Sequence, residues 1–158
     1  MNKLMEYLTS LLVIAVFGFC ALCTNQTFAE QISVEQGYVR ATIPGTSISS
    51  AYMTIINNTD KKLSLLGASS EVSQRIEIHQ HTMSDGMMKM RQVKSINIEA
   101  RGTLILEPLG YHLMIFNLDK PLNAGHESAF TLHFSEEKDI EITLPIHSIK
   151  RKKSMHHH

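Results

Sequence analysis

Soft metal-binding side chains concentrate in two short stretches of this 158-residue chain. The first runs His79-Gln80-His81-Thr82-Met83-Ser84-Asp85-Gly86-Met87-Met88-Lys89-Met90 and holds four of the chain's nine methionines. The second is Tyr111-His112-Leu113-Met114-Ile115. Thioether sulfur is a soft, neutral donor and imidazole is borderline. A set of the two without carboxylate or thiolate favours Cu(I) over zinc, calcium or magnesium. Neutral donors also suit a monovalent ion, because nothing in the set offsets the desolvation of a higher charge.

The elements around these residues must place them on one surface. Arg75-Ile76-Glu77-Ile78-His79 alternates polar and apolar residues, and Asp85-Gly86 before Met87 to Val93 is a strong hairpin signal. In a strand, residues two apart share a face. His79 and His81 therefore oppose the face of Ile76 and Ile78. A two-residue Asp85-Gly86 turn sets Met90 across from His81 and diagonal to His79, with Met88 on the same face. His112 and Met114 likewise point one way while Leu113 and Ile115 point into the core. Both His112 and Met90 are thus expected to point away from the core.

Other histidines and methionines read as structural. Met53 lies on a run with Ile55 and belongs to the core, and Met87 faces away from Met88 and Met90. His126 and His147 read as loop or edge residues, and His133 as a strand residue without a nearby partner. Lys89 and Arg91 fall on the opposite hairpin face as solvated charges.

Short alternating runs separated by Gly, Pro and Asn continue from Gln31 onward, and no stretch holds a 3.6-residue period for three turns. The pattern predicts an all-β domain of seven to nine strands, an antiparallel sandwich or Greek-key barrel over residues 30–149. Residues 1–29 read as a signal peptide: Lys3, an apolar run from Leu11 to Leu22, and a small-residue cleavage site ending at Ala29. That run is short for a membrane span, so no stable insertion is expected once the leader is removed. Neither Cys20 nor Cys23 follows a Gly, Ala or Ser, which argues against a lipid anchor. Without the leader no cysteine remains, which excludes thiol chemistry and a blue-copper site with its cysteine ligand. Thioethers, unlike thiols, are not lost to disulfides in an oxidising compartment. Residues 150–158 form a basic, His-ending tail expected to be disordered. Lys+Arg and Asp+Glu balance at 15 each, so no basic field recommends nucleic acid as a partner.

The spacing His79, ten residues, Met90, twenty-one residues, His112-x-Met114, set in Asp85-Gly86-Met87-Met88-Lys89-Met90-Arg91 and Gly110-Tyr111-His112-Leu113-Met114, resembles the PCu(A)C family of periplasmic copper chaperones. Leu118-Asp119-Lys120-Pro121-Leu122 and Leu132-His133-Phe134 are similar to it as well, and the likeness covers about residues 32 to 147. The resemblance implies a cupredoxin-like β-barrel binding one Cu(I) through two His and two Met. Carried over, the ligands are His79, Met90, His112 and Met114. It also implies a periplasmic protein that delivers copper to the copper-accepting subunit of cytochrome c oxidase or to another copper chaperone. Many members have Met directly after the first His, where this chain has Gln80. His81, Met83 or Met88 would then supply any additional donor. Met155 to His158 is at most a stub of the Met/His-rich tail that some members carry.

On this reading the protein is not an enzyme, and metal moves by ligand exchange. The alternatives are a copper-buffering protein without a dedicated acceptor, a copper-dependent oxidase or dismutase, and a β-sandwich adhesion or assembly module. The high methionine share weighs against the enzyme, and only the fold speaks for the assembly module.

Overall fold

The structure is a computed structural model, and it describes residues 30–84 and 86–148. Ten strands follow one another: β1 (Ile32–Arg40), β2 (Ser49–Asn57), β3 (Leu63–Ser69), β4 (Arg75–Ser84), β5 (Met87–Val93), β6 (Ile96–Ile98), β7 (Thr103–Leu106), β8 (Tyr111–Phe116), β9 (Glu127–Phe134) and β10 (Ile140–His147). No helix occurs among the described residues, so the all-β expectation holds. The count exceeds the seven to nine strands expected, and β3 and β6 account for the difference. β3 is Leu-rich rather than β-branched, and it is interrupted by a register shift between Leu65 and Gly67. β6 has only three residues, too few for an alternation to show.

Hydrogen bonding links the strands in the order β5-β4-β8-β7-β2-β1-β10-β9-β3-β6, with β8 also pairing to β2. Two short parallel contacts, β1 with β10 and β7 with β8, join pairings that are otherwise antiparallel. A single core cluster takes Ile55 and Leu113 from one half of this order and Leu65, Phe130 and Leu132 from the other. The sheet therefore folds over, so that both halves bury their apolar faces together. β2 lies at the centre and buries seven of its nine residues, Met53 included. A bulge between Glu35 and Tyr38 in β1, where Gln36 takes a φ of 52°, increases the local bend.

Three strands at one end of the order hold the chemistry. β4 is flanked by β5 on one side and β8 on the other. Ile78, Leu113 and Ile115 are buried in the core from this sheet, so the intervening side chains stand on its far face. The β4–β5 hairpin closes with Ser84 opposite Met87, which is the register a two-residue Asp85-Gly86 turn requires. Gly86 supplies a φ of 73°, and Asp85 lies outside the described residues. The expected signal peptide, residues 1–29, and the expected basic tail, residues 150–158, lie outside them too.

Candidate metal centre

Register alone decides which donors meet. Residues paired directly across two strands share a face, with Cβ atoms about 4.5–5.5 Å apart. His79 stands opposite His112 of β8, and Glu77 stands opposite Met114. On the other side of β4, His81 stands opposite Met90 and Met83 opposite Met88. His79 is thus the middle of the set: His112 is its direct neighbour, and Met114 and Met90 are its diagonal ones. The expected position of Met90, across from His81, is the observed one. Met87 pairs with Ser84 and falls on the opposite face.

Hydrogen bonds fix which ring nitrogens are free. A carboxylate only accepts, so the 2.8 Å contact between His79 Nε2 and Glu77 Oε2 places the proton on Nε2. In the neutral ring His79 Nδ1 is then a bare lone pair, and it is buried without a hydrogen-bond partner. His112 uses the other nitrogen: Nδ1–H donates to the Gly110 carbonyl at 3.2 Å, which leaves Nε2 bare. His81 Nδ1 is also buried without a partner. An unmade hydrogen bond at a buried nitrogen costs about 1–3 kcal/mol. Two such atoms lie on one face, each open to a further partner.

Burial acts on one of the two facing imidazoles and a hydrogen-bonded carboxylate orients the other. Burial pushes the His112 imidazole below its ordinary pKa, against a smaller opposing contribution from its bond to Gly110. Hydrogen bonds from His79 and then Arg75 hold the Glu77 carboxyl below the usual carboxylate range. Arg75 Nε bonds the second oxygen of Glu77 at 2.7 Å while its guanidinium lies 4.5 Å from the centre of the Phe116 ring. Glu77 is therefore ionised and locked, and it orients His79 as an outer carboxylate orients a metal-bound histidine. The sequence reading missed this residue. Its signal is the spacing Glu77-x-His79, which puts both on one strand face.

His112 departs from expectation. It does point away from the apolar core, but it is 2 % exposed. Tyr52 of β2 covers it at 6.2 Å between ring centres, and His81 and His79 pack on it at 5.0 and 6.1 Å. Tyr52 arrives through the pairing of β2 with β8, a contact between segments some sixty residues apart that spacing does not reveal. Tyr52 accepts from Ser50 Oγ at 2.8 Å. Met114 is half-buried and lines a cavity of about 160 Å³ with Arg40, Ser49 and Ser50. Met90 is 44 % exposed, and Met88 and Met83 more so.

Among the described residues no three His, Cys, Asp or Glu side chains gather as a metal site on their own. A hollow of about 770 Å³ lies elsewhere, beside Tyr38, His126 and His147. There His147 stacks on Tyr38 at 5.1 Å, in keeping with its expected place at an edge. His133, expected to lack a partner, has two: Asp139 Oδ2 at 2.8 Å and Ser69 Oγ at 2.9 Å. It ties the turn before β10 to β3 and stands apart from the face of His79 and His112.

Fold and face together define a cupredoxin-like β-domain with histidine and methionine donors gathered on three strands. The family model "Putative lipoprotein LpqE-like" matches residues 32–146, and the chain belongs to this LpqE-like family. Lxx21020 of Leifsonia xyli subsp. xyli, which also carries a lipoprotein name, is 29 % identical over 119 residues, spanning 75 % of this chain and 70 % of its own. Among solved structures, the Cu(I) form of DR1885 from Deinococcus radiodurans is 27 % identical with a TM-score of 0.60, over 78 % of this chain and 85 % of that one. The copper-bound PCuAC domain from PmoF2 superposes with a TM-score of 0.65 over 76 % and 95 % of the two chains. At 19 % identity it shows a shared fold.

Proposed function

We propose that the protein is an exported copper chaperone that holds one Cu(I) through His79, Met90, His112 and Met114. It passes the ion on by ligand exchange, without catalysis. The observation that carries this reading is a pair of bare ring nitrogens, His79 Nδ1 buried without a partner and His112 Nε2 left free by the bond from Nδ1 to Gly110. His79 Nδ1 and the His112 ring occupy facing positions on β4 and β8, flanked by thioethers on both sides. The donor set is uncharged, and a soft monovalent ion is the electrophile that such a set accepts at least cost. The likeness to the Cu(I) form of DR1885 supports the same ion.

The face also suits release. His79 and His112 are anchored by Glu77 and Gly110 and act as the fixed half of the site. Met90 sits on the edge strand β5 in contact with solvent. A partner's donor can replace this thioether first, since it is neutral and carried on a flexible stem. The acceptor class is a copper-accepting subunit of cytochrome c oxidase or another copper chaperone, in the periplasm. The lipoprotein name of the family agrees with export. No helix of the described residues is long and apolar enough to cross a membrane.

Transfer is tested by mixing the Cu(I)-loaded protein with apo-oxidase subunit and following the metal to its new ligands. Passage of the ion to the subunit is the expected outcome. Retention against an acceptor of higher affinity would make the protein a copper buffer instead.

A further inference from the structure

The odd-numbered side chains of β4 from His79 to Met83 form a ladder of soft donors, each rung closed by a neighbouring strand. Met83 is paired with Met88, His81 with Met90 and His79 with His112. Successive rungs lie about 7 Å apart along the strand. Exposure falls steadily inward: 68 % and 54 % at Met83 and Met88, 44 % at Met90, 2 % at His112. Donor character changes in the same direction, from two thioethers, through a thioether with an imidazole, to two imidazoles.

The outermost rung has no structural task that explains it. Met83 and Met88 keep more than half of their surface in water, so they contribute little to the core. A hairpin tip needing only strand propensity is better served by threonine or valine. Each side chain has three rotatable bonds and a polarizable sulfur. With Cβ atoms about 5 Å apart, both sulfurs can converge on one ion. Met87, equally exposed at the same tip, faces Ser84 on the other side of the hairpin and has no such partner.

We propose that Met83 and Met88 form a second, outer site for Cu(I), a two-thioether station. It takes the ion first and hands it inward over His81 and Met90. The proposal rests on the copper reading of the inner site. Each step makes one bond to a neutral donor as one bond to a thioether breaks, so no electron or proton is transferred. With two neutral donors the outer station holds its ion weakly and briefly, which a station at the start of a path requires.

The test is an anaerobic Cu(I) titration of the full chain with methionine methyl groups labelled for NMR. The first equivalent should shift Met90 and Met114. The second should shift Met83 and Met88 in faster exchange and leave Met87 unmoved. In the double variant Met83→Leu/Met88→Leu, which preserves volume on an exposed surface, the second equivalent should vanish. The affinity for the first should stay within about threefold, and uptake from a chelator complex should slow about tenfold. The outer station is overturned if Met83 and Met88 do not shift beyond Met87 at two equivalents. Unchanged stoichiometry and uptake rate in the double variant overturn it as well. If Met90 and Met114 fail to shift at the first equivalent, the inner-site reading fails, and that failure is read on separate resonances.

Discussion

His79 and His112 present different ring nitrogens because each has its other nitrogen engaged, one by a carboxylate and one by a carbonyl. Glu77→Ala should therefore leave His79 in place but free to turn, and Cu(I) affinity should fall about 10- to 100-fold in a chelator competition. His79 is held in this way, so His79→Ala should weaken Cu(I) binding more than His81→Ala does. The reverse order would make His81, which stands directly across from Met90, the ligand. The histidine and methionine positions also separate in stability. Met90→Leu, at an exposed site, should leave the melting temperature nearly unchanged. His112→Ala removes a buried ring and its bond to the Gly110 carbonyl, which keeps the His81 amide as a donor, and should destabilise by about 1–3 kcal/mol. A side chain expected only to point away from the core would be replaceable without cost to the fold, and His112 is not. The burial comes from Tyr52, which the local sequence does not announce.

The hairpin of β4 and β5 is the element whose register makes the site, and the turn sets that register. Gly86 adopts a φ of 73°, where a Cβ is strained. Gly86→Ala should cost about 1 kcal/mol. It should also blur the pairing of His81 with Met90, seen as broadened methyl resonances on β5. This part of the fold was legible from sequence, because period-two alternation and an Asp-Gly turn leave a single way to face the donors together. The position of β8 beside β4 was not legible in the same sense. Leu113 and Ile115 show which face of β8 is buried, but no local pattern states which strand it pairs with. β3 was missed because Leu63, Leu65 and Leu66 carry little strand signal and Gly67 interrupts the run. β6 was missed because it is only Ile96–Ile98.

Across the whole molecule much of the stability is built away from the face of His79 and Met90, the buried His112 ring being the exception. Asn57, fully buried, donates from Nδ2 to the Lys61 and Glu99 carbonyls at 2.7 and 2.9 Å. Its Oδ1 accepts from the amide and hydroxyl of Thr59. It knots the end of β2 to the turn before β3 and to the chain leaving β6. The nearby ion pairs Arg101–Asp60 and Lys62–Glu99 are exposed and contribute little. Asn57→Ala should therefore destabilise by about 3 kcal/mol in denaturant unfolding, since a fully buried side chain and its four hydrogen bonds to Lys61, Glu99 and Thr59 are lost at once. Cu(I) stoichiometry should not change. The most direct measurement of the site itself is X-ray absorption on the protein carrying one equivalent of Cu(I). A mixed shell of two imidazole nitrogens and two thioether sulfurs is expected, with one sulfur lost in Met90→Leu and one nitrogen lost in His79→Ala. A shell of nitrogen and oxygen alone, or sulfur ligation that neither Met90→Leu nor Met114→Leu alters, would contradict it.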